Sequence, residues 1–233
     1  MIKKIFRIFG FEITRSRSTR QTLFQAIQHL KELGFNPNVI IDAGVAQGTP
    51  AIYSNFPNTK TILIEPLPDF EKAILKILDK HSNYIYIPKA LSESKGCMDI
   101  YKKDSLSGSS FFISKSENNF QKISVDCISL SDIVKGYKIT SPALLKLDIE
   151  GGEKGVLESS IDVISLFDIV VCEVTFIPKL VGAPPFSDII KIMSLCNYSV
   201  FDIVDLRYYK KSKRLFQADI VFVKAMSDLR KIE

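Results

Sequence analysis

The chain has 233 residues, 46% hydrophobic and 24% charged, which suits one sizeable core and excludes a disordered or low-complexity polymer. No apolar run approaches the roughly 18 residues that a spanning helix needs. The formal net charge is +5, and residues 1–20 account for it: Lys3, Lys4, Arg7, Arg15, Arg17 and Arg20 stand against one acid, Glu12, and the rest is balanced, which excludes a uniformly basic nucleic-acid binder.

The opening MIKKIFRIFGF is too short, and too interrupted by Arg7, for a secretory signal. Cys97, Cys127, Cys172 and Cys196 form no C-x-x-C pair, so neither a disulfide framework nor a zinc site is expected, and a reducing, cytoplasmic setting is. Beyond the basic head, Leu23, Phe24, Ile27, Leu30 and Leu33 recur at helical spacing before Gly34 and Pro37. VIIDAG (39–44) reads as a buried strand, Thr49-Pro50 as a helix start, and TILIEP (61–66) as a second strand. Pro68 opens an amphipathic helix with Phe70, Ala73, Ile74, Ile77 and Leu78 on one face.

YIYIPKAL (84–91) reads as a third strand and CMDIYKK (97–103) as a short one. SLSGSSFF (105–112) is a polar loop, either a lid closed by Phe111 and Phe112 or a surface loop anchored by them. ISVDCISLSDIV (123–134) runs from strand into helix; LLKLDI (144–149) and DIVVCEV (168–174) are core strands flanking a helix that begins in GGEKGVLESS. After a helix near 186–196, YSVFDIVDL (198–206) and ADIVFVK (218–224) are joined by a polar, basic connection too short for a helical crossover, which predicts an antiparallel hairpin. The alternation predicts a doubly wound α/β domain with a mainly parallel sheet over residues 38–226, preceded by a basic segment and helix (1–37) and followed by a tail (227–233).

In such a sheet, ligands bind beyond the carboxyl ends of the strands. The residues there are Asp42, Gly44 and Gly48, then Glu65, then Asp148, Glu150, Gly151 and Glu153, then Glu173. A dinucleotide fingerprint needs glycines at 44, 46 and 49, but Ala46 and Thr49 occupy two of these places, which weakens the case for NAD or a sugar-nucleotide. An acid before a glycine turn suits a ligand carrying an ammonium group beside a small carboxylate, such as the methionyl end of S-adenosyl-L-methionine. Glu65, 21 residues past Gly44, stands where an acid accepts ribose hydroxyls. An ordinary strand-to-helix turn explains the loop alone equally well.

LLKLDIEGGE is more distinctive. Period-two spacing puts Lys146, Asp148 and Glu150 on one side if the strand persists. Such acids are costly unless solvated, paired or functional, although helix capping accounts for one of Glu150 and Glu153. IIDAGVAQG, ILIEPLPDFE, ALSES, SGSSFF and LLKLDIEGGEKGVLES, in that order, resemble the FkbM family of S-adenosylmethionine-dependent methyltransferases over roughly residues 38–224. The resemblance implies a class I, Rossmann-like methyltransferase fold, with a seven-stranded sheet ending in an antiparallel hairpin. It also implies O-methylation of sugars or of natural-product hydroxyls.

By position, the resemblance places Asp42, Gly44, Gly48, Glu65 and Ser92 at the cofactor and Asp148, Glu150 and Glu153 in a D-x-E-G-x-E motif. The family loop often reads G-A-N-x-G; Ala46 stands here in the asparagine's place. For catalysis the candidates are Asp148, Glu150 and Glu173, with Lys146 and Glu153 assigned to substrate. The same three acids suit a divalent cation, but an acid/base arrangement is preferred and no metal ligands are assigned. His29 and His81 read as structural. LDIEGG occupies the place of the N/D-P-P-Y motif of nucleobase methylases, which argues for a small-molecule or glycan acceptor and against nucleic acid. Weak membrane-surface contact by the basic N-terminus is the remaining partner expectation, with a non-enzymatic surface protein as its extreme form. A second basic cluster, Arg207 to Arg214, is read as a loop able to meet an anionic acceptor.

Overall fold

The computed structural model describes residues 20–103, 120–177 and 184–231. The basic segment before Arg20 and the SLSGSSFF loop, with the membrane and lid expectations placed on them, lie outside the described residues.

The first helix, α1 (Leu23–Glu32), buries Leu23, Ala26, Ile27 and Leu30. Its start is fixed twice. The Thr22 hydroxyl accepts from the Gln25 N–H while the Gln25 side chain accepts from the Thr22 N–H, and the Asp205 carboxylate accepts from the Leu23 N–H at 2.9 Å. Next come β1 (Val39–Ala43), the single turn α2 (Pro50–Tyr53) and β2 (Lys60–Ile64). A 3-10 turn at Pro68–Phe70 leads into α3 (Glu71–Leu78), and β3 (Tyr84–Ile87) follows. Further along come β7 (Ala143–Leu147), α5 (Glu153–Ser159), β8 (Ile169–Thr175), α6 (Phe186–Leu195), β9 (Tyr198–Tyr208) and β10 (Leu215–Lys224).

The main sheet has seven strands in the order β3-β2-β1-β7-β8-β10-β9. Its first five strands pair in parallel, and β10 runs antiparallel to both β8 and β9, so the expected closing hairpin is present. Every residue of β1 and of β7 is buried, as continuous apolar strands covered on both faces should be. Alternation divides the core. Val39, Ile41 and Leu145 pack with Ile133, Val156 and Ile189 on one face; Ile40, Leu63, Leu144 and Val171 pack with Ile27 and Ile74 on the other.

A second sheet, absent from the sequence reading, joins β4 (Ala90–Ser92), β6 (Phe120–Ser129) and β5 (Gly96–Lys103), and α4 (Leu130–Tyr137) follows β6. YIYIPKAL is therefore two strands in two sheets. Pro88 has no N–H for a ladder, and the Lys89 N–H turns back to the Ile87 carbonyl, which redirects the chain. No helix among the described residues is long and apolar enough to cross a membrane.

Candidate active site

At the carboxyl end of β1, Gly44 (φ +77) and Gly48 (φ +103) occupy left-handed backbone. A Cβ on Gly44 would stand 1.7 Å from the Asp148 carbonyl oxygen, and one on Gly48 would stand 2.7 Å from Ile77 Cδ1. Both glycines are thus demanded by the packing of the protein itself. Ala46, in the place of the family's asparagine, has φ +46, a conformation that asparagine adopts more readily. Its N–H donates to Glu65 Oε2 at 2.9 Å, and the Leu67 N–H donates to Oε1 at 3.0 Å. Glu65 is 4% exposed, and burial raises its pKa against the pull of those two donors. Ser92 ends β4, buried, with its hydroxyl donating to the Ser94 carbonyl.

Asp42 lies inside β1 with no exposure at all. The Tyr53 hydroxyl donates to its Oδ2, and Lys146 Nζ stands 3.5 Å from Oδ1. Lys146 is its register partner on β7 and also reaches Asp148 at 3.2 Å. Burial alone would lower the pKa of Lys146, but Asp148 and Asp42 outweigh it and hold the ammonium form. The sequence assigned Asp42 to cofactor and Lys146 to substrate; the structure encloses both in one buried ion-pair group.

β7 ends at Leu147, so the pleat does not place Lys146, Asp148 and Glu150 together as the spacing predicted. A left-handed turn, Glu150 at φ +53 and Gly151 at φ +101, gathers the acids instead. The Asp148 N–H still bonds to the Ala43 carbonyl, tying this turn to the β1 loop. Glu153 folds back to accept from the Ile149 N–H at 2.8 Å; burial pushes its pKa up to about 8. That bond closes the turn ahead of α5, whose start has no side-chain cap, and leaves the carboxyl buried.

Glu173 on β8 completes the cluster: Asp148, Glu150 and Glu173 each offer an oxygen, all within 4.8 Å of one another. Arg207 and Gln217 hold the two oxygens of Glu173, and burial, with Asp148 and Glu150 adding to it, pushes its pKa well up. Arg207 lies on β9, inside the hairpin and not in the basic loop where the sequence put it. Asp219 is a further acid that sequence reading missed. It stands directly opposite Glu173 across the β8–β10 pair, and burial, then Asp148, raises its pKa to about 6. The single acid in the mostly apolar run ADIVFVK was the available signal, but placing it required the hairpin register.

Residues 42–200 match the family model of the methyltransferase FkbM domain. The chain belongs to the FkbM methyltransferase family. Its methyl donor is therefore S-adenosylmethionine, and membership sets aside the nicotinamide-enzyme and non-enzymatic alternatives. The donor chemistry fits the residues present: each oxygen of Glu65 takes one backbone N–H and keeps a lone pair for a ribose hydroxyl. No match was found among curated protein sequences.

Among solved structures, the chain is similar to M. capricolum TrmK bound to S-adenosyl-homocysteine, with 12% identity, coverage of 85% and 67% of the two chains, and TM-score 0.47. It is also similar to Aeropyrum pernix fibrillarin bound to S-adenosyl-L-methionine, with 14% identity, coverage of 87% and 76%, and TM-score 0.46. Precorrin-6y C5,15-methyltransferase from Geobacter metallireducens is a third, with 11% identity, coverage of 91% and 92%, and TM-score 0.43. Likenesses this distant carry no argument about the acceptor.

Proposed function

We propose that this enzyme methylates a hydroxyl oxygen of a small molecule or a glycan. The observation that carries the reading is the convergence of Asp148, Glu150 and Glu173 at the carboxyl ends of β7 and β8, beside the glycine loop. S-adenosylmethionine supplies a methyl carbon already activated by its sulfonium. The protein's part is to hold donor and acceptor in line and to take the acceptor's proton. A hydroxyl is a weak acid and a poor nucleophile, so a carboxylate within hydrogen-bonding reach assists its attack.

Asp148 is the preferred base. Its side chain is 28% exposed, against 5% for that of Glu173, and Lys146 fixes it from behind. Glu150 is next, and Glu173, held by Arg207 and Gln217, is last. Lys146 and Glu153 act here as positioning residues. Glu65 serves the donor's ribose, while Gly44, Gly48 and Ser92 shape the floor beside it. A mouth lined by acids also disfavours the phosphate backbone of a nucleic acid.

The test is to incubate the full-length protein with S-adenosylmethionine and panels of saccharides, hydroxylated small molecules and RNA. Mass spectrometry is expected to find one added methyl group, fragmenting as an ether on a saccharide or small molecule. A methyl group found only on nitrogen, on carbon or on RNA overturns the reading.

A further inference from the structure

With Arg207 taken up by Glu173, the basic run keeps Lys210, Lys211, Lys213 and Arg214, four cations within five residues at the turn between β9 and β10. All four are exposed, and none forms an ion pair among the described residues. Elsewhere Lys102, Lys122, Lys154 and Lys224 each reach a carboxylate. Like charges crowded into one turn repel one another, and an anion brought there is drawn by all of them together. The turn itself is closed by the protein. The Tyr209 N–H donates to the Arg214 carbonyl and the Lys213 N–H to the Tyr209 carbonyl, each at 2.9 Å, and the rings of Tyr209 and Phe216 pack with centroids 4.6 Å apart at its base.

Its position gives the charge a meaning. β10 runs antiparallel to β8 with Gln217 opposite Thr175, so the turn projects past the carboxyl ends of the parallel strands, the edge that holds Asp148 and Glu173. Lys210 is three residues beyond Arg207, and Arg214 three before Gln217, the two residues that hold Glu173. The cations therefore stand at most about 10 Å along the chain from that grip. A site of acids thus has a rim of the opposite sign. A uniform polyanion would meet the acids as well as the rim, whereas a molecule with an uncharged hydroxyl end and one anionic end fits both. Four cations this close suit a group of more than one negative charge, phosphate or pyrophosphate, better than a single carboxylate, and lysine offers phosphate a point charge.

We propose that the acceptor carries a phosphate or pyrophosphate group, seated by Lys210, Lys211, Lys213 and Arg214 while the hydroxyl at its other end reaches Asp148. The hydroxyl end rests on the methylation reading above; the anion seat needs no turnover.

Binding and turnover test the two halves separately, on full-length protein. In the first arm the protein is saturated with S-adenosyl-homocysteine, and inorganic pyrophosphate is titrated by calorimetry at low salt. The variant Lys210→Gln/Lys211→Gln/Lys213→Gln/Arg214→Gln is expected to bind it at least about tenfold more weakly. Lys210→Gln/Lys211→Gln, which leaves the residues of both backbone bonds of the turn in place, is expected to lose at least about threefold. A variant that loses four exposed charges elsewhere, Lys80→Gln/Lys135→Gln/Lys138→Gln/Lys191→Gln, keeps wild-type affinity. In the second arm, saccharides are offered in pairs, free and esterified with phosphate or pyrophosphate. The esterified member is expected to be methylated, with a KM raised at least about tenfold by the fourfold turn variant and kcat held within about twofold. Pyrophosphate binding equal in wild type and turn variants overturns the seat. So does a free saccharide methylated as efficiently as its ester, or a turn variant that loses only its binding to phosphatidylglycerol vesicles, which would mark a membrane-docking surface. No methyl ether on any acceptor refutes hydroxyl methylation and leaves the seat to the binding result.

Discussion

The two ends of the cleft treat charge differently. On the β1–β2 side each acid is answered from within the fold: Asp42 by Tyr53 and Lys146, Glu65 by the N–H groups of Ala46 and Leu67. On the β7–β8–β10 side the acids act on one another: beyond burial, Asp148 and Glu150 push the pKa of Glu173 up, and Asp148, after burial, raises that of Asp219 to about 6. The first side is held largely by the protein's own groups. In the proposed reaction the first side serves the methyl donor and the second the acceptor.

The sharpest way to break the comparison is to unbalance the first side. Lys146→Met leaves Asp42 buried with only a tyrosine, and it is expected to cost about 3–5 kcal/mol in urea denaturation. A loss below about 1 kcal/mol would mean that Asp42 needs no cation. Gly44→Ala forces a Cβ into the Asp148 carbonyl from left-handed backbone. It should cost about 2–4 kcal/mol and depress donor affinity in calorimetry; unchanged affinity and melting would separate the loop from the acid turn.

On the second side, Asp148→Asn removes the preferred base and is expected to lower kcat at least about 100-fold while the melting temperature holds. Full activity would move the base to Glu150. The smallest effect concerns Glu153. Its folded pKa of about 8 lies above the unfolded value, so stability is greatest below pH 4.5 and falls as pH rises through 8. Between pH 7 and 9 the wild type should lose about 1 kcal/mol that Glu153→Gln retains, read from paired thermal melts. Parallel curves would show that Glu153 is not the titrating group.

Much of the main sheet was legible because β1, β2, β7 and β8 are continuous apolar runs separated by helical periodicity. The second sheet was not. Its strands pair across distant segments, and the break that creates β4 depends on one proline inside a run that otherwise reads as unbroken. Asp148, Glu150 and Glu173 were legible as acids near strand ends, although β7 stops at Leu147, two residues short of the strand read from LLKLDI. The roles of Asp42, Lys146 and Glu153 were not. Whether a charge faces a ligand or a buried partner depends on side chains such as Tyr53, eleven residues away and one layer across. Asp219 and the Arg207–Glu173 pair required the bulged register of the β9–β10 hairpin, which no local pattern encodes.

The contact between Gly44 and Asp148 has a mechanical consequence. Where a Cβ would meet a carbonyl at 1.7 Å, and an N–H already bridges Asp148 to Ala43, the two loops move as one piece. On the proposed reading, donor and acceptor are then gripped by a single jaw, and neither half of the grip drifts without dragging the other. Arg207, Gln217 and Asp219, on the β9–β10 hairpin, lie outside that coupled pair of loops.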